Sequence, residues 1–441
     1  MKHAYLLYTG FGKTKMCLDK IINANNKPRT LVISTKKIVE SSWPGEINKW
    51  YAGKLSYDYL TGTIKPKDRM DIVNKQQDIL GISTSMLDWY ISNTCSVKRK
   101  AILKGGRVKY YYDTDEILPR FNLIIIDEST LFKNSQSNRF KDLKKWVHKA
   151  KNVMILSATP TPKNIEDVFS QVYLLDGGKR LGPNITKFRE HWGIPIALPN
   201  GRNKWQYSTQ AVDDILGKIQ DITTSIPAPP KPLFPEPILK KLTIKADPQT
   251  TKVIKDFKED YITKLSTGDN LIAMTKNQLI NKVSQMASGD VYNKNTVVHL
   301  NDIKLRAVKH IISRKTTPIL IMYNYVFDKE KLLTIPGAKL LETAQDHLDW
   351  NANKIPIGIL SPSSSAHGLN LQDSDCVDVI WFSPIWDTEK WIQANARVAR
   401  RGQKNVVTIT VLLLKESYDE YMFNMCITKF HAQYNILTKL S

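Results

Sequence analysis

Short apolar, β-branched runs recur through the first 176 residues: Tyr5–Tyr8, Thr30–Ser34, Ser56–Leu60, Ile79–Ser83, Leu123–Ile126 and Asn152–Leu156. Continuous runs of four or five such residues suit strands buried on both faces. Between them lie stretches with helical spacing, such as Lys13–Asn23 and Ile38–Trp50, where Ile47 and Trp50 share a face. Strand alternating with helix predicts a parallel sheet covered on both sides. The rhythm lapses after residue 177, where Ile185–Trp192, Asp213–Ile222, Ile254–Leu265 and Leu279–Met286 read as helices. Six prolines between Pro227 and Pro237 exclude helix and central strand there. A semi-rigid linker fits a mid-chain position better than a proline-rich docking peptide. Alternation resumes near His299, with a helix over Leu305–Ile312 and strands over Pro318–Tyr323, Ile357–Leu360, Val377–Phe382 and Val406–Leu413. A final helix is expected over Ser417–Leu437. The pattern predicts an α/β chain: one parallel-sheet lobe over 1–176, helical protrusions with a linker at 226–238, and a second such lobe from 299 to 441, closed by a bracing helix.

Chemistry collects where such sheets bind ligands, at the carboxyl ends of strands. The first strand runs into Thr9-Gly10-Phe11-Gly12-Lys13-Thr14. Glycines let the backbone approach a phosphate, and the helix start adds partial positive charge. Lys13 suits the β- and γ-phosphates of a nucleotide, and the Thr14 hydroxyl suits Mg²⁺. Leu7 stands where the full phosphate-loop pattern has a glycine, so this is the shortened GxGKT form. The run Leu123–Ile126 then delivers Asp127-Glu128-Ser129-Thr130. Asp127 is expected to bind Mg²⁺ through water, and Glu128 to polarise the attacking water. A helix cap with an acidic first turn is the plainer reading, which the upstream glycine turn disfavours.

After the next strand comes Ser157-Ala158-Thr159-Pro160. The order GxGKT, DExx, SAT resembles helicase superfamily II. Trp43, Glu46-Ile47 and Trp50, with Tyr173-Leu174-Leu175-Asp176-Gly177-Gly178 and Leu181-Gly182, resemble its Swi/Snf branch, and its compact phage and prophage members above all. Gln285–Tyr292 is similar to the segment that opens the second lobe in the phage relatives, and Ser365–Gln372 to the fifth helicase motif. Gln393-Ala394-Asn395-Ala396-Arg397-Val398-Ala399-Arg400-Arg401-Gly402-Gln403 is similar to the sixth. The resemblance spans nearly the whole chain and implies two RecA-like lobes, ATP and Mg²⁺ as cofactors, and DNA as partner. It implies that Ser157 and Thr159 couple the nucleotide site to the DNA track, and that Gly368 lies near the nucleotide. Gln393, Arg397 and Arg400 would complete catalysis; three residues apart, the two arginines would share a helical face and act as fingers on the γ-phosphate across a cleft. Lys36, Thr61, Thr84, Asn324 and Ser365 are the implied DNA contacts. His367 receives no acid–base role. Arg401 stands where an apolar residue is usual. The branch's adenine-reading glutamine motif normally lies upstream of the phosphate loop, and with nine residues before Gly10 the expectation is that adenine is held by other groups or that base selectivity is loose.

Charge sharpens the partner. Sixty-four Lys and Arg against 42 Asp and Glu give +22, spread along the 441 residues. Such a surface suits a polyanion, nucleic acid first, over a merely solvated basic exterior, and the resemblance implies duplex, forked or four-way DNA. The segment Lys98–Tyr112, basic, centred on Gly105-Gly106 and ending in tyrosines, reads either as a hairpin that meets DNA or wedges a junction, or as a solvated insertion. Four scattered cysteines show no metal or disulfide spacing. No apolar run spans a membrane and no leader precedes the first strand, so a cytoplasmic monomer is expected, in the host cytoplasm if phage-encoded. The expected activity is a DNA-dependent ATPase, a helicase or translocase on duplex or branched DNA in phage recombination, repair or replication. A motor subunit of a restriction- or remodelling-type complex is the alternative. A non-enzymatic DNA-binding protein fits poorly with Lys13, Asp127, Glu128, Arg397 and Arg400 all in place.

Overall fold

A computed structural model describes residues 1–7, 11–102, 108–198, 201, 203–226, 235–294, 296–365, 371–400 and 402–440. The chain divides into two compact units, Met1–Ala228 with Ala432–Ser441, and Pro229–His431. The segment expected as separate helical protrusions is therefore shared out between them.

The first unit is built on β1 (Lys2–Leu7), β2 (Thr30–Ser34), β3 (Tyr57–Leu60), β4 (Ile79–Ser83), a separate pair β5 (Val97–Ile102) and β6 (Val108–Tyr112), then β7 (Leu123–Asp127) and β8 (Val153–Ser157). A second separate pair, β9 (Gly193–Ala197) and β10 (Asn203–Tyr207), precedes β11 (Thr223–Ile226). The large sheet runs β11-β1-β8-β7-β2-β4-β3, all parallel. Alternation along β7 explains its two layers. Ile124 and Ile126 join Leu31, Ile33, Phe132 and Trp146 on one side, and Leu123 and Ile125 join Val32, Cys17, Leu18, Trp43 and Ile47 on the other. That second layer is supplied by helices Lys13–Ile22 and Trp43–Tyr51. Trp43 and Ile47, four apart, form the buried stripe; Trp50 lies on the exposed side, its indole N–H bonded to Glu46, so the expected pairing of Ile47 with Trp50 does not hold.

The second unit contains β12 (Ile238–Ile244), the pairs β13 (Ile262–Lys264) with β14 (Asn270–Ile272) and β15 (Asp290–Asn293) with β16 (Thr296–His299), then β17 (Ile319–Met322), β18 (Ala338–Leu340), β19 (Ile357–Leu360), β20 (Asp378–Trp381) and β21 (Thr408–Leu414). Its sheet runs β12-β21-β20-β17-β19-β18, again all parallel. Helices Pro248–Asp260 and Lys276–Ser288 enclose a smaller core around Phe257, Val283 and Met286. Both lobes thus have the expected parallel architecture, with edge strands β11 and β12 added from the stretch where the sequence rhythm lapses.

Candidate active site

Parallel strands bring their carboxyl ends to one edge, and the first unit's motifs lie along it. The chain enters helix Lys13–Ile22 through Gly12 at φ 70°, a left-handed conformation that glycine adopts without the strain of a Cβ. Met16 N–H bonds back to the Gly12 carbonyl at 2.9 Å, which fixes the first helical turn. Lys13 Nζ donates to the Leu7 carbonyl at the end of β1 at 3.3 Å. Thr14 is partly exposed on that first turn, and Phe11 packs against the core. Thr9 and Gly10 lie outside the described residues.

Asp127 ends β7 and is buried. The Trp43 indole N–H donates to its Oδ2 at 3.0 Å and Glu128 N–H to its Oδ1 at 3.0 Å, while Ser34 Oγ bonds its carbonyl at 2.8 Å. Burial pushes the carboxyl above the ordinary carboxylate range; the Trp43 hydrogen bond and the positive charge of Lys13 oppose it. A buried carboxylate facing a lysine at a strand end fits a divalent ion bound to nucleotide phosphates. Among the described residues no cluster of three or more His, Cys, Asp or Glu forms a metal cage, and Mg²⁺ on phosphates needs none. Glu128 adopts φ 57°, ψ 61°, a strained region for a non-glycine residue, and is half-buried at the mouth of this edge. Such strain costs on the order of 1 kcal/mol and collects at functional sites.

Ser157 and Thr159 are fully buried after β8, with Thr159 N–H on Ser157 Oγ at 3.0 Å. Composition gave no hint of how this turn meets the Asp127 turn. Gln171 supplies the answer: its Oε1 accepts from Ser129 Oγ at 2.6 Å, and its Nε2 donates to the carbonyls of Pro160 at 2.7 Å and Asp167 at 2.8 Å. One carboxamide, 2% exposed, ties the two motifs together. A long polar side chain inside the largely apolar run Val168–Leu175 is the available signal. Trp43 is likewise legible as a core tryptophan but not as a ligand of Asp127.

Of the implied DNA contacts, Lys36 is exposed after β2 and Thr84 half-exposed after β4, on the same edge as Asp127. Thr61 follows β3 but is buried, its hydroxyl turned to Glu40 and Thr63. In the second unit Asn324 is exposed just after β17, and Ser365 ends a short helix after β19. Gly368 and His367 lie outside the described residues. Helix Thr388–Asn395 stops before the arginines, so Arg397 and Arg400 do not share a helical face; they lie in the turns beyond it. That path is pinned elsewhere: Trp381 Nε1 donates to Asn395 Oδ1 at 2.9 Å, Leu371 N–H to the Arg397 carbonyl at 3.1 Å, and Gln403 Nε2 to the Cys376 carbonyl at 3.3 Å. Gln393 and Arg397 are buried and Arg400 partly so. In the same unit Lys304 Nζ pairs with Asp419 at 2.7 Å, both side chains at most 1% exposed. The neighbouring Asp328 accepts from Ser288 Oγ at 2.7 Å and from Tyr325 N–H at 3.0 Å, and burial pushes its carboxyl up to about 6.

Residues 8–299 match the SNF2-related domain. The chain belongs to the SNF2-related family. As an SNF2-family chain it is an ATPase that acts on DNA. It is similar to "Putative protein p41" of Acyrthosiphon pisum secondary endosymbiont phage 1, 28% identical over 436 residues, covering 93% of this chain and 89% of that protein. It is similar to the Gallus gallus "DNA repair and recombination protein RAD54-like", 22% identical over 468 residues, covering 94% of this chain and 61% of that protein. A solved Sulfolobus solfataricus SWI2/SNF2 ATPase core in complex with dsDNA covers 99% of this chain and 88% of its own, at 18% identity and a TM-score of 0.42. The SNF2-related match takes in the phosphate-loop, Asp127 and Ser157 motifs and ends at His299, so the stretch Gln393–Gln403 stands on its own residues. No helix among the described residues is long and apolar enough to cross a membrane.

Proposed function

We propose that this chain is an ATP-driven translocase on duplex or branched DNA whose output is fork or four-way-junction branch migration in recombination, repair or replication. In this reading residues 1–176 form most of the nucleotide-binding lobe and 299–431 most of the second motor lobe, and the parts of 177–298 outside the two large sheets are protrusions that flank DNA. The observation that carries it is the buried Asp127 carboxylate, held by Trp43 beside Lys13 on the sheet edge that also presents Lys36 and Thr84. Lys13 holds the β- and γ-phosphates, while Thr14 and Asp127 hold Mg²⁺, which when bound neutralises phosphate charge. Glu128 orients the attacking water and receives its proton; Arg397 and Arg400 supply positive charge to the transferred phosphoryl group, and Gln393 positions them. Ser157 and Thr159 pass the nucleotide state to the DNA contacts Lys36, Thr84, Asn324 and Ser365. Net charge of +22 supports a phosphate-dominated grip with little sequence preference.

The test is ATPase rate with no DNA, single strands, duplex and a four-way junction, beside Lys13→Ala and Arg400→Ala. Stimulation by duplex or junction, lost in both variants, is expected, followed by junction migration in a gel assay. Equal rates on every DNA would overturn the motor reading. Stimulation without any strand exchange would favour a translocase that leaves strands paired, as in remodelling-type motors, and a mass above the monomer would then point to partner subunits.

A further inference from the structure

The first unit carries a ribbon that neither large sheet needs. β5 and β6 pair only with each other. They interrupt the chain between helix Leu87–Thr94, which descends from the carboxyl end of β4, and the amino end of β7. The ribbon is therefore rooted at the amino edge of the sheet, opposite the phosphate-binding turn.

Its root is held in one orientation. Asp113 N–H bonds the Ser96 carbonyl at 2.9 Å, Ser96 N–H bonds Glu116 Oε2 at 2.9 Å, and the Ser96 hydroxyl takes the other oxygen of that carboxylate. Arg120 donates to the Thr94 carbonyl at 2.5 Å, and Lys149 pairs with Asp115 at 2.8 Å. Tyr112 packs on the core.

Beyond the root the described strands carry Lys98, Arg99, Lys100 and Lys109 and no carboxylate. Lys98 is engaged by Asp113 at 3.7 Å. Register places Arg99 opposite Tyr111 and Lys109 opposite Ala101, so these four share one face. The Arg99 guanidinium lies 4.6 Å and the Lys109 ammonium 5.3 Å from the Tyr111 ring centroid. Stacking two cations on one ring restrains both side chains without neutralising either. The opposite face pairs Lys100 with Tyr110 and Ile102 with Val108, and Ile102 is 76% exposed. A merely solvated insertion has no reason to expose an aliphatic pair and Lys100 on one face and to restrain two cations on the other. A strand of phosphates with apolar sugars and bases matches both features.

We propose that this ribbon is a second DNA-binding element, which grips the phosphates of a duplex arm through Arg99, Lys100 and Lys109, away from the ATPase motifs. It rests on the DNA-motor reading above. Three phosphate contacts release about three counterions, so their loss flattens the log–log salt dependence of duplex binding by about 2.7. Over a fourfold rise in salt, the wild type then loses about 40-fold more affinity than the variant does.

The experiment compares the full chain with Arg99→Gln/Lys100→Gln/Lys109→Gln by fluorescence anisotropy on duplex DNA across a salt series. A flatter slope with unchanged DNA-free ATPase is expected, and Arg99→Lys alone should keep the wild-type slope. A triple variant with the wild-type slope overturns the ribbon proposal and leaves the motor reading standing. A wild type without salt-dependent DNA binding overturns the motor reading itself. Far-UV circular dichroism melts of all three proteins should coincide, since every altered side chain is on the surface.

Discussion

Gln171→Leu separates coupling from chemistry. Leucine keeps most of the side-chain volume in helix Asp167–Asp176 but removes both the acceptor for Ser129 Oγ and the donor to the Pro160 carbonyl. Each buried polar group left without a partner costs about 1–3 kcal/mol. Two such groups, less about 1 kcal/mol regained from added apolar burial, give a loss of roughly 1–5 kcal/mol, centred near 3. A loss of that size lowers the melting temperature by roughly 6–12 °C for a unit of this size. The functional consequence is distinct. Ser129 follows Glu128, and Pro160 closes the turn that holds Ser157 and Thr159, so the variant unties the turn proposed to carry hydrolysis from the turn proposed to couple it to DNA. The ratio of DNA-stimulated to basal ATPase should fall by about tenfold, the equivalent of about 1.4 kcal/mol of coupling, while KM for ATP stays near the wild-type value. Gln171→Glu, which keeps the acceptor and loses the donor, should fall between. The assay is steady-state ATPase at saturating duplex, well below the melting temperature of each protein. A destabilised variant with an intact stimulation ratio would refute the reasoning and leave Gln171 as a purely structural tie.

The second unit offers two further tests. Lys304→Met leaves Asp419 charged and buried without its partner, an expected loss of about 3–5 kcal/mol in urea denaturation. Lys304→Met with Asp419→Leu should recover most of it, and a double variant as unstable as the single would show that the ion pair is not the source. Asp328 predicts a pH effect of defined sign. Its folded carboxyl titrates at about 6, above its unfolded value near 3.9, so the native state holds the extra proton between those limits. Stability from this group is therefore fully present below about pH 4 and lost as pH rises through 6, amounting to about 3 kcal/mol. Asp328→Asn should be less stable throughout, with a gap to wild type that narrows as pH rises from 4 to 7; a constant gap would contradict the assignment.

The buried strands were legible because parallel sheets demand continuous apolar runs; Thr30–Ser34, Ile79–Ser83 and Ile357–Leu360 fall where the pattern puts them. The placement of Lys13 at a helix start and of Asp127 at the end of β7 was legible because each follows a buried apolar strand. β11 and β12 were not, since edge strands need little hydrophobicity: Ile238–Ile244 is interrupted by two lysines and is exposed along most of its length. Nor were the pairings that shape the site. Trp43 lies 84 residues from Asp127 and Gln171 lies 42 from Ser129, separations at which periodicity carries no information. The arginine stretch reads as helix in the sequence because three-residue spacing fits both a helix and the tight turns that follow Asn395.

The first unit is also discontinuous, and this sets an order of events during synthesis. Leu437 and Leu440 belong to its core, and Ser225 Oγ on β11 bonds the Leu437 carbonyl at 2.7 Å. A ribosome adding about 5–20 residues per second delivers those leucines roughly 10–40 s after residue 228. Through that interval the nascent first unit must wait, with part of its apolar interior uncovered, while the whole of Pro229–His431 is made. The second unit can therefore complete its fold before the first, which makes the earlier-synthesised half of this chain the later to mature and the half more exposed to chaperones and proteases.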